Sequence, residues 1–118
     1  SGSITIDARG KQALSQLAAV LNKEADLTIA VEGHTDDKKV INLGQIKDNW
    51  DLSVLRSTSV CRYLTEVEKV DPQRLTATGK SEYQPIDPAN TAEARTKNRR
   101  IEIILSPKLD ELYNLIKQ

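Results

Sequence analysis

Two stretches of helical periodicity each run into a short stretch of alternating apolar residues. This switch from a period near 3.6 to a period of 2 restricts the chain to layered α/β architectures. Residues 8–24 read as a helix, with Leu14, Leu17, Ala18 and Leu21 on one stripe and Asp7 as N-cap. Residues 27–33 follow as a strand, in which Leu27, Ile29 and Val31 alternate with Thr28, Ala30 and Glu32. A second helix is expected over 50–68, capped by Asp48 or Asn49, with Leu52, Leu55, Val60, Leu64 and Val67 on its buried side. Val70-Asp71-Pro72 ends it. Residues 74–79 form a second strand, 91–97 a short helix and 99–105 a third strand. Pro107 opens a terminal helix over 107–118, a favoured place for proline, with Leu109, Leu112, Leu115 and Ile116 on one side. The order predicts an α/β fold, an α+β two-layer sandwich with one mixed sheet packed on helices. The helical crossovers favour parallel neighbours, and the last strand is free to run antiparallel.

The 118 residues fit one domain, 1–118, without repeats or low-complexity tracts. With 38% hydrophobic and 29% charged residues the chain has enough apolar material for a core, built from Leu, Ile, Val and Ala because Phe is absent. Lys plus Arg equals Asp plus Glu at 17 each, and with one Trp and three Tyr the chain lacks both the basic stripe and the stacking aromatics of a nucleic-acid binder. A single cysteine, Cys61, rules out an internal disulfide and a Cys-based zinc cluster; in mid-helix it reads as a small apolar side chain. No apolar run reaches the 18 residues of a membrane span. The chain has no Met, and Ser1-Gly2 could be a cloning scar, so any export signal or anchor is expected outside it.

The polar residues that could carry chemistry gather around three places: Gly33-His34-Thr35-Asp36 at the end of the first strand, Asn49 to Arg56 at the start of the second helix, and Asn98-Arg99-Arg100 before the third strand. Ligands of open α/β sheets bind beyond the carboxyl ends of strands. A carboxylate at Asp36 accepts from an ammonium, and the fork of Arg56 suits a carboxylate, so together they would read a zwitterionic amino-acid head group. The plainer alternative is an Asp36–Arg56 salt bridge or two solvated charges. Asn49 adds a polar contact or caps the helix. Arg99 and Arg100 face opposite ways on an alternating strand, so one of them serves a shared pocket, and spacing does not say which. Residues 37–48 read as a long loop of the kind that is often functional.

Catalytic readings are weaker. His34, Asp36 and Asp37 have the composition of a metal triad, but no second His completes it, and His34 is expected to bond nearby backbone. Cys61 has no His close in sequence, Ser53 reads as a helix-opening hydroxyl, and Gly79-Lys80-Ser81 lacks the earlier glycine of a phosphate loop. Neither an enzyme nor a cofactor is expected.

Five ordered segments carry a specific resemblance: Val31 to Asp36 (VEGHTD), Asn49 to Arg56 (NWDLSVLR), Asp71 to Leu75 (DPQRL), Gly79 to Pro85 (GKSEYQP) and Ala94 to Glu102 (ARTKNRRIE). From about residue 4 to 105 the chain resembles the OmpA-like peptidoglycan-binding domain. The resemblance implies a βαβ-αβ-β mixed sheet and noncovalent binding of peptidoglycan stem peptides through diaminopimelate. Carried over by position, Asp36 would take the ligand ammonium and Arg56 its carboxylate, Asn49 and Arg99 would line the pocket, and Thr35 would shape the strand end. It further implies a periplasmic domain of an envelope protein, tethered by an upstream membrane-anchoring region, with the outer membrane the leading expectation and a flagellar stator the alternative. A module used only for protein contacts or dimerisation is the other alternative. Three features depart from the pattern: a long insert between Asp37 and Asn49 resembling the MotB-like subset, Ala94 in place of the usual Gly, and a first strand missing or cut at Ser1, whose loss a homodimer could compensate.

Overall fold

The computed structural model describes residues 5–40, 44–107 and 116. In chain order these form α1 (Ala8–Lys23), β1 (Leu27–His34), α2 (Asn49–Glu66), a 3-10 turn at Pro72–Arg74, β2 (Leu75–Gly79), α3 (Ala92–Asn98) and β3 (Arg100–Pro107). The sheet order is β2-β1-β3. β1 and β2 are parallel, with Gly33 beside Gly79; β1 and β3 are antiparallel, with Val31 beside Ile103 and His34 beside Arg100. The expected α/β architecture is therefore the observed one, with the last strand antiparallel.

Local chemistry sets the helix starts. Asp7 accepts the Gly10 N–H at 2.8 Å, and Thr91 accepts the Ala94 N–H at 3.0 Å. Asp48 rather than Asn49 caps α2, accepting the Asp51 N–H at 3.1 Å. Each such cap stabilises by about 1 kcal/mol. Pro107 is the last residue of β3, so no helix begins there: the strand continues because Leu27 of β1 still stands opposite it. Leu109, Leu112 and Leu115 of the expected terminal helix lie outside the described residues; Ile116 is helical and exposed.

Alternation divides the sheet into two faces. Ile29 and Val31 turn toward α1 and α2 and join Ala18, Leu21, Val60, Leu64 and Val70 in the core, with Leu14, Leu17, Ile101 and Ile103 packed around them. Complete burial of each Leu, Ile or Val stabilises by roughly 1.5–3 kcal/mol. Cys61 is half-buried at the edge of this cluster, where desolvation raises its thiol pKa.

The buried face of α2 differs from the expected one. Val67 is exposed and Leu55 half-buried, while Ser53 and Ser57 are fully buried beside Leu52, Val60 and Leu64. The two serines need no partner across the interface, because each hydroxyl bonds back to the carbonyl of Trp50 or Val54 at 2.9 Å. The reason for small residues here lies in the strands. A Cβ on Gly33 would sit 2.0 Å from the Ser53 carbonyl oxygen, and one on Gly79 would sit 2.4 Å from the Ser53 Oγ. The adjacent glycines thus let the first turns of α2 lie directly on the ends of β1 and β2, which is what delivers Asn49 and Arg56 to the site.

Candidate functional site

The carboxyl end of β1 passes into a polar turn that is as buried as the core: His34, Thr35 and Asp36 are 1%, 3% and 2% exposed. Buried backbone must be paired, and here it is. The Thr35 N–H donates to the Ser81 carbonyl at 2.9 Å, and the Lys80 N–H donates to the Gly33 carbonyl at 3.0 Å. The Ser81 N–H in turn donates to Ser53 Oγ at 3.1 Å. Ser81 holds a left-handed backbone, φ 54°, as it turns from β2 toward Thr35. Gly79-Lys80-Ser81 therefore clasps the site turn and is no phosphate loop.

Asp36 is the one carboxylate at this corner with almost no exposure. Oδ2 accepts from Arg99 Nη1 at 2.7 Å and Oδ1 from the Lys38 N–H at 3.0 Å. The ion pair is thus Asp36–Arg99, in place of the Asp36–Arg56 bridge that spacing left open. Arg99 sits at the C-cap of α3, one residue before β3, so it escapes the strand alternation. Arg100 donates to Glu102 and to the Gln84 carbonyl, and it lines one hollow beside α1 together with Arg56 and Arg99.

Arg56 reaches the same turn from α2, donating from Nη1 to the His34 carbonyl at 3.2 Å. Burial is the main influence lowering its pKa; Asp36 opposes that shift and the like charge of Arg99 adds to it. An arginine stays charged regardless. Both guanidiniums, Arg56 and Arg99, therefore act on the one buried carboxylate. Asn49 Nδ2 donates to the Asp36 carbonyl at 3.4 Å and the Lys38 carbonyl at 3.1 Å, while its Oδ1 is buried without a hydrogen-bond partner among the described residues. Thr35 Oγ1 donates to the Asp36 carbonyl at 2.8 Å. The structure thus gathers Asp36, Arg56, Asn49, Arg99 and Thr35 at one strand end.

The alternative metal triad does not form. Asp37 is exposed, and both oxygens of Asp36 are engaged by Arg99 and Lys38. Nor does His34 bond backbone: its Nε2 lies 2.9 Å from Glu32, and its Nδ1 is buried without a partner among the described residues. Glu32, His34 and Glu102 do bring one ligand atom each within 4.8 Å of one another on the sheet face away from α2. Arg100 already occupies Glu102 there and holds its pKa below the usual carboxylate value, so the group reads as an alternating ion-pair cluster.

Ser53 supports the backbone, as its helix-opening position suggested, whereas sequence reasoning gave Asn98 no role of its own. Asn98 is buried at the end of α3, where Oδ1 accepts the N–H groups of Ile86 and Asp87 and Nδ2 donates to the Asp87 carbonyl, fixing the loop before Arg99. An Asn ending a short helix immediately before an Arg pair was the available signal.

The architecture is a small mixed sheet with helices on one face and a buried charged corner at the end of its central strand. The chain belongs to the OmpA family, whose model matches residues 1–99. It is 33% identical over 108 residues to Motility protein B of Bacillus subtilis (strain 168), covering 92% of this chain and 41% of that protein. A putative MotB-like protein from Desulfovibrio vulgaris superposes with a TM-score of 0.79 at 34% identity, covering 91% of this chain and 65% of that one. The peptidoglycan-associated lipoprotein of Burkholderia pseudomallei shares the fold, with a TM-score of 0.77 at 20% identity over 88% of this chain and 83% of that one. The chain spans less than half the length of Motility protein B.

Proposed function

We propose that this domain binds peptidoglycan stem peptides without catalysis and so anchors a membrane-tethered envelope protein to the cell wall. The observation that carries the reading is the pair of guanidiniums, Arg56 and Arg99, around the buried carboxylate of Asp36. Each Arg can present a planar fork of donors to a ligand carboxylate. A ligand ammonium replaces Arg99 at Asp36, freeing that guanidinium for the ligand's own carboxylate. A free amino-acid centre, such as the side-chain terminus of diaminopimelate, supplies both charges, whereas the side chain of a lysine residue within a peptide supplies only the ammonium. Membership of the OmpA family and a shared fold with a lipoprotein named for its association with peptidoglycan support the same substrate. The test is cosedimentation with purified sacculi: the domain pellets with them, and Arg56→Ala stays in the supernatant while remaining folded.

The likeness to Motility protein B favours a second reading of the whole protein, a flagellar stator anchored through an inner-membrane helix instead of an outer-membrane protein. The gene sequence preceding Ser1 decides between a barrel, a lipid-modified cysteine and a single membrane-spanning helix.

A further inference from the structure

The apolar stripe of α1 is closed at one end and open at the other. Ala18 and Leu21 are 2% and 0% exposed, whereas Leu14 and Leu17, nearer the helix start, are only half-buried. Ile101 and Ile103 of β3 are half-buried too, as is Ile6 just before α1. All five line one hollow of roughly 660 Å³, which Val60 of α2 also lines. Aliphatic side chains that a fold gathers and leaves partly in water mark a binding surface. The volume lies within the range of about 300–1,000 Å³ found for small-molecule sites.

The polar groups of the hollow are few and lie to one side. Apart from Thr5 and Asp7, whose carboxylate accepts the Gly10 N–H, the polar side chains are Arg56, Arg99 and Arg100. On β3 the arginines come first and Ile101 and Ile103 follow, over roughly 10 Å of strand. On α2, Arg56 precedes Val60 by one turn. The wall is therefore cationic at one end and aliphatic along the rest. Arg99 donates to Asp36 and Thr96, and Arg100 to Glu102, Asn98 and Gln84; a guanidinium has more N–H donors than these bonds use. Burial chiefly lowers the Arg56 pKa, and the like charge of Arg99 adds to that shift, a repulsion that a nearby anion relieves.

The shape and chemistry select the occupant. A protein partner calls for a broader surface, since stable interfaces bury about 1,600 Å² in total. A peptide threaded along the aliphatic wall would bury amides that the side chains there cannot pair. A single unbranched hydrocarbon tail has no such groups, and a terminal carboxylate matches the planar fork of an arginine.

We propose that the hollow between α1 and β3 binds a fatty acid, with its carboxylate at Arg56, Arg99 and Arg100 and its tail along Leu14, Leu17, Ile101 and Ile103. This goes beyond the stem-peptide reading and does not depend on it.

The test is a titration of the domain with dodecanoate below its micelle-forming concentration, followed by methyl NMR and calorimetry, beside dodecyltrimethylammonium as the cationic match. Dodecanoate should shift the methyl signals of Leu14, Leu17, Ile101 and Ile103 saturably and bind at least about tenfold more tightly than the cation. Arg100→Gln should weaken dodecanoate by about the same factor, and Leu14→Glu, which places a carboxylate in the aliphatic wall, should abolish binding. Unshifted methyl signals, equal binding of anion and cation, or undiminished binding by either variant overturns the site. Should Leu14→Glu fail to fold by circular dichroism, Arg100→Gln and the cationic match decide alone. None of these probes carries an amino-acid head group, so failure here leaves the cell-wall reading standing, and failure of that reading leaves this site standing.

Discussion

Two regions of this domain are equally hidden from water and built from opposite chemistry. In the core, Leu21, Ile29, Val31 and Leu64 are at most 1% exposed and touch other aliphatic groups. Just beyond the end of β1, Thr35 and Asp36, with Ser53 of α2 close by, are at most 3% exposed and are held by hydrogen bonds and one ion pair. The difference teaches where stability and function reside. Aliphatic burial is favourable without geometric conditions. A buried charge is tolerated only with partners, and the desolvation it suffers offsets much of what the partner returns. A corner of this kind adds little to stability.

Substitutions at the two regions should therefore separate stability from binding. The largest loss of stability is expected for Leu64→Ala, about 2–5 kcal/mol by denaturant unfolding, with the remaining folded molecules binding ligand normally. Weaker ligand binding by that folded fraction would break the comparison. Arg56→Ala should invert the pattern: calorimetry should show diaminopimelate affinity reduced by about 2–5 kcal/mol, roughly 30-fold or more, with a far smaller change in unfolding free energy. Arg56→Lys should not restore binding, because an ammonium lacks the planar fork.

Ser53→Ala tests the seam between the regions. It strands the buried Ser81 N–H, for a cost of about 1–3 kcal/mol, and should loosen the Thr35 turn that Ser81 clasps, which amide hydrogen exchange would register at Thr35. Unaltered exchange there would show that the clasp is dispensable. The smallest effect is at Glu102, on the exposed face. Its pKa is lowered chiefly by the Arg100 hydrogen bond, so its contribution is present above the usual carboxylate pKa of about 4.3 and fades as pH falls through the lower folded value. For so exposed a pair this amounts to less than about 1 kcal/mol. Glu102→Gln should flatten the acid limb of the stability profile slightly; a steeper limb would contradict the assignment.

The alternation of Leu27, Ile29 and Val31 and the stripe of Leu14, Ala18 and Leu21 were legible because periodicity reports which face is buried. The face of α2 was not. Its contact with β1 and β2 is governed by Gly33 and Gly79, which admit a helix backbone at close range, and hydrophobicity carries no trace of that fit. For the same reason the burial of Ser53 and Ser57 left no mark in the pattern of apolar residues. The site residues could be nominated from sequence, but their pairing could not: Arg99 took Asp36 because α3 ends at Asn98 and leaves Arg99 outside the strand. Spacing also could not reveal that His34 would bond Glu32, since that contact depends on which sheet face the pair shares.

The most direct test of the account is a calorimetric titration of the domain with meso-diaminopimelate, run beside Nα-acetyl-L-lysine amide, whose only charge is the side-chain ammonium, and beside Asp36→Ala. The account predicts saturable binding of diaminopimelate, much weaker binding of the blocked lysine, and no binding by Asp36→Ala. A folded wild-type domain that ignores diaminopimelate, or an Asp36→Ala variant that binds it as well as the wild type, would contradict it.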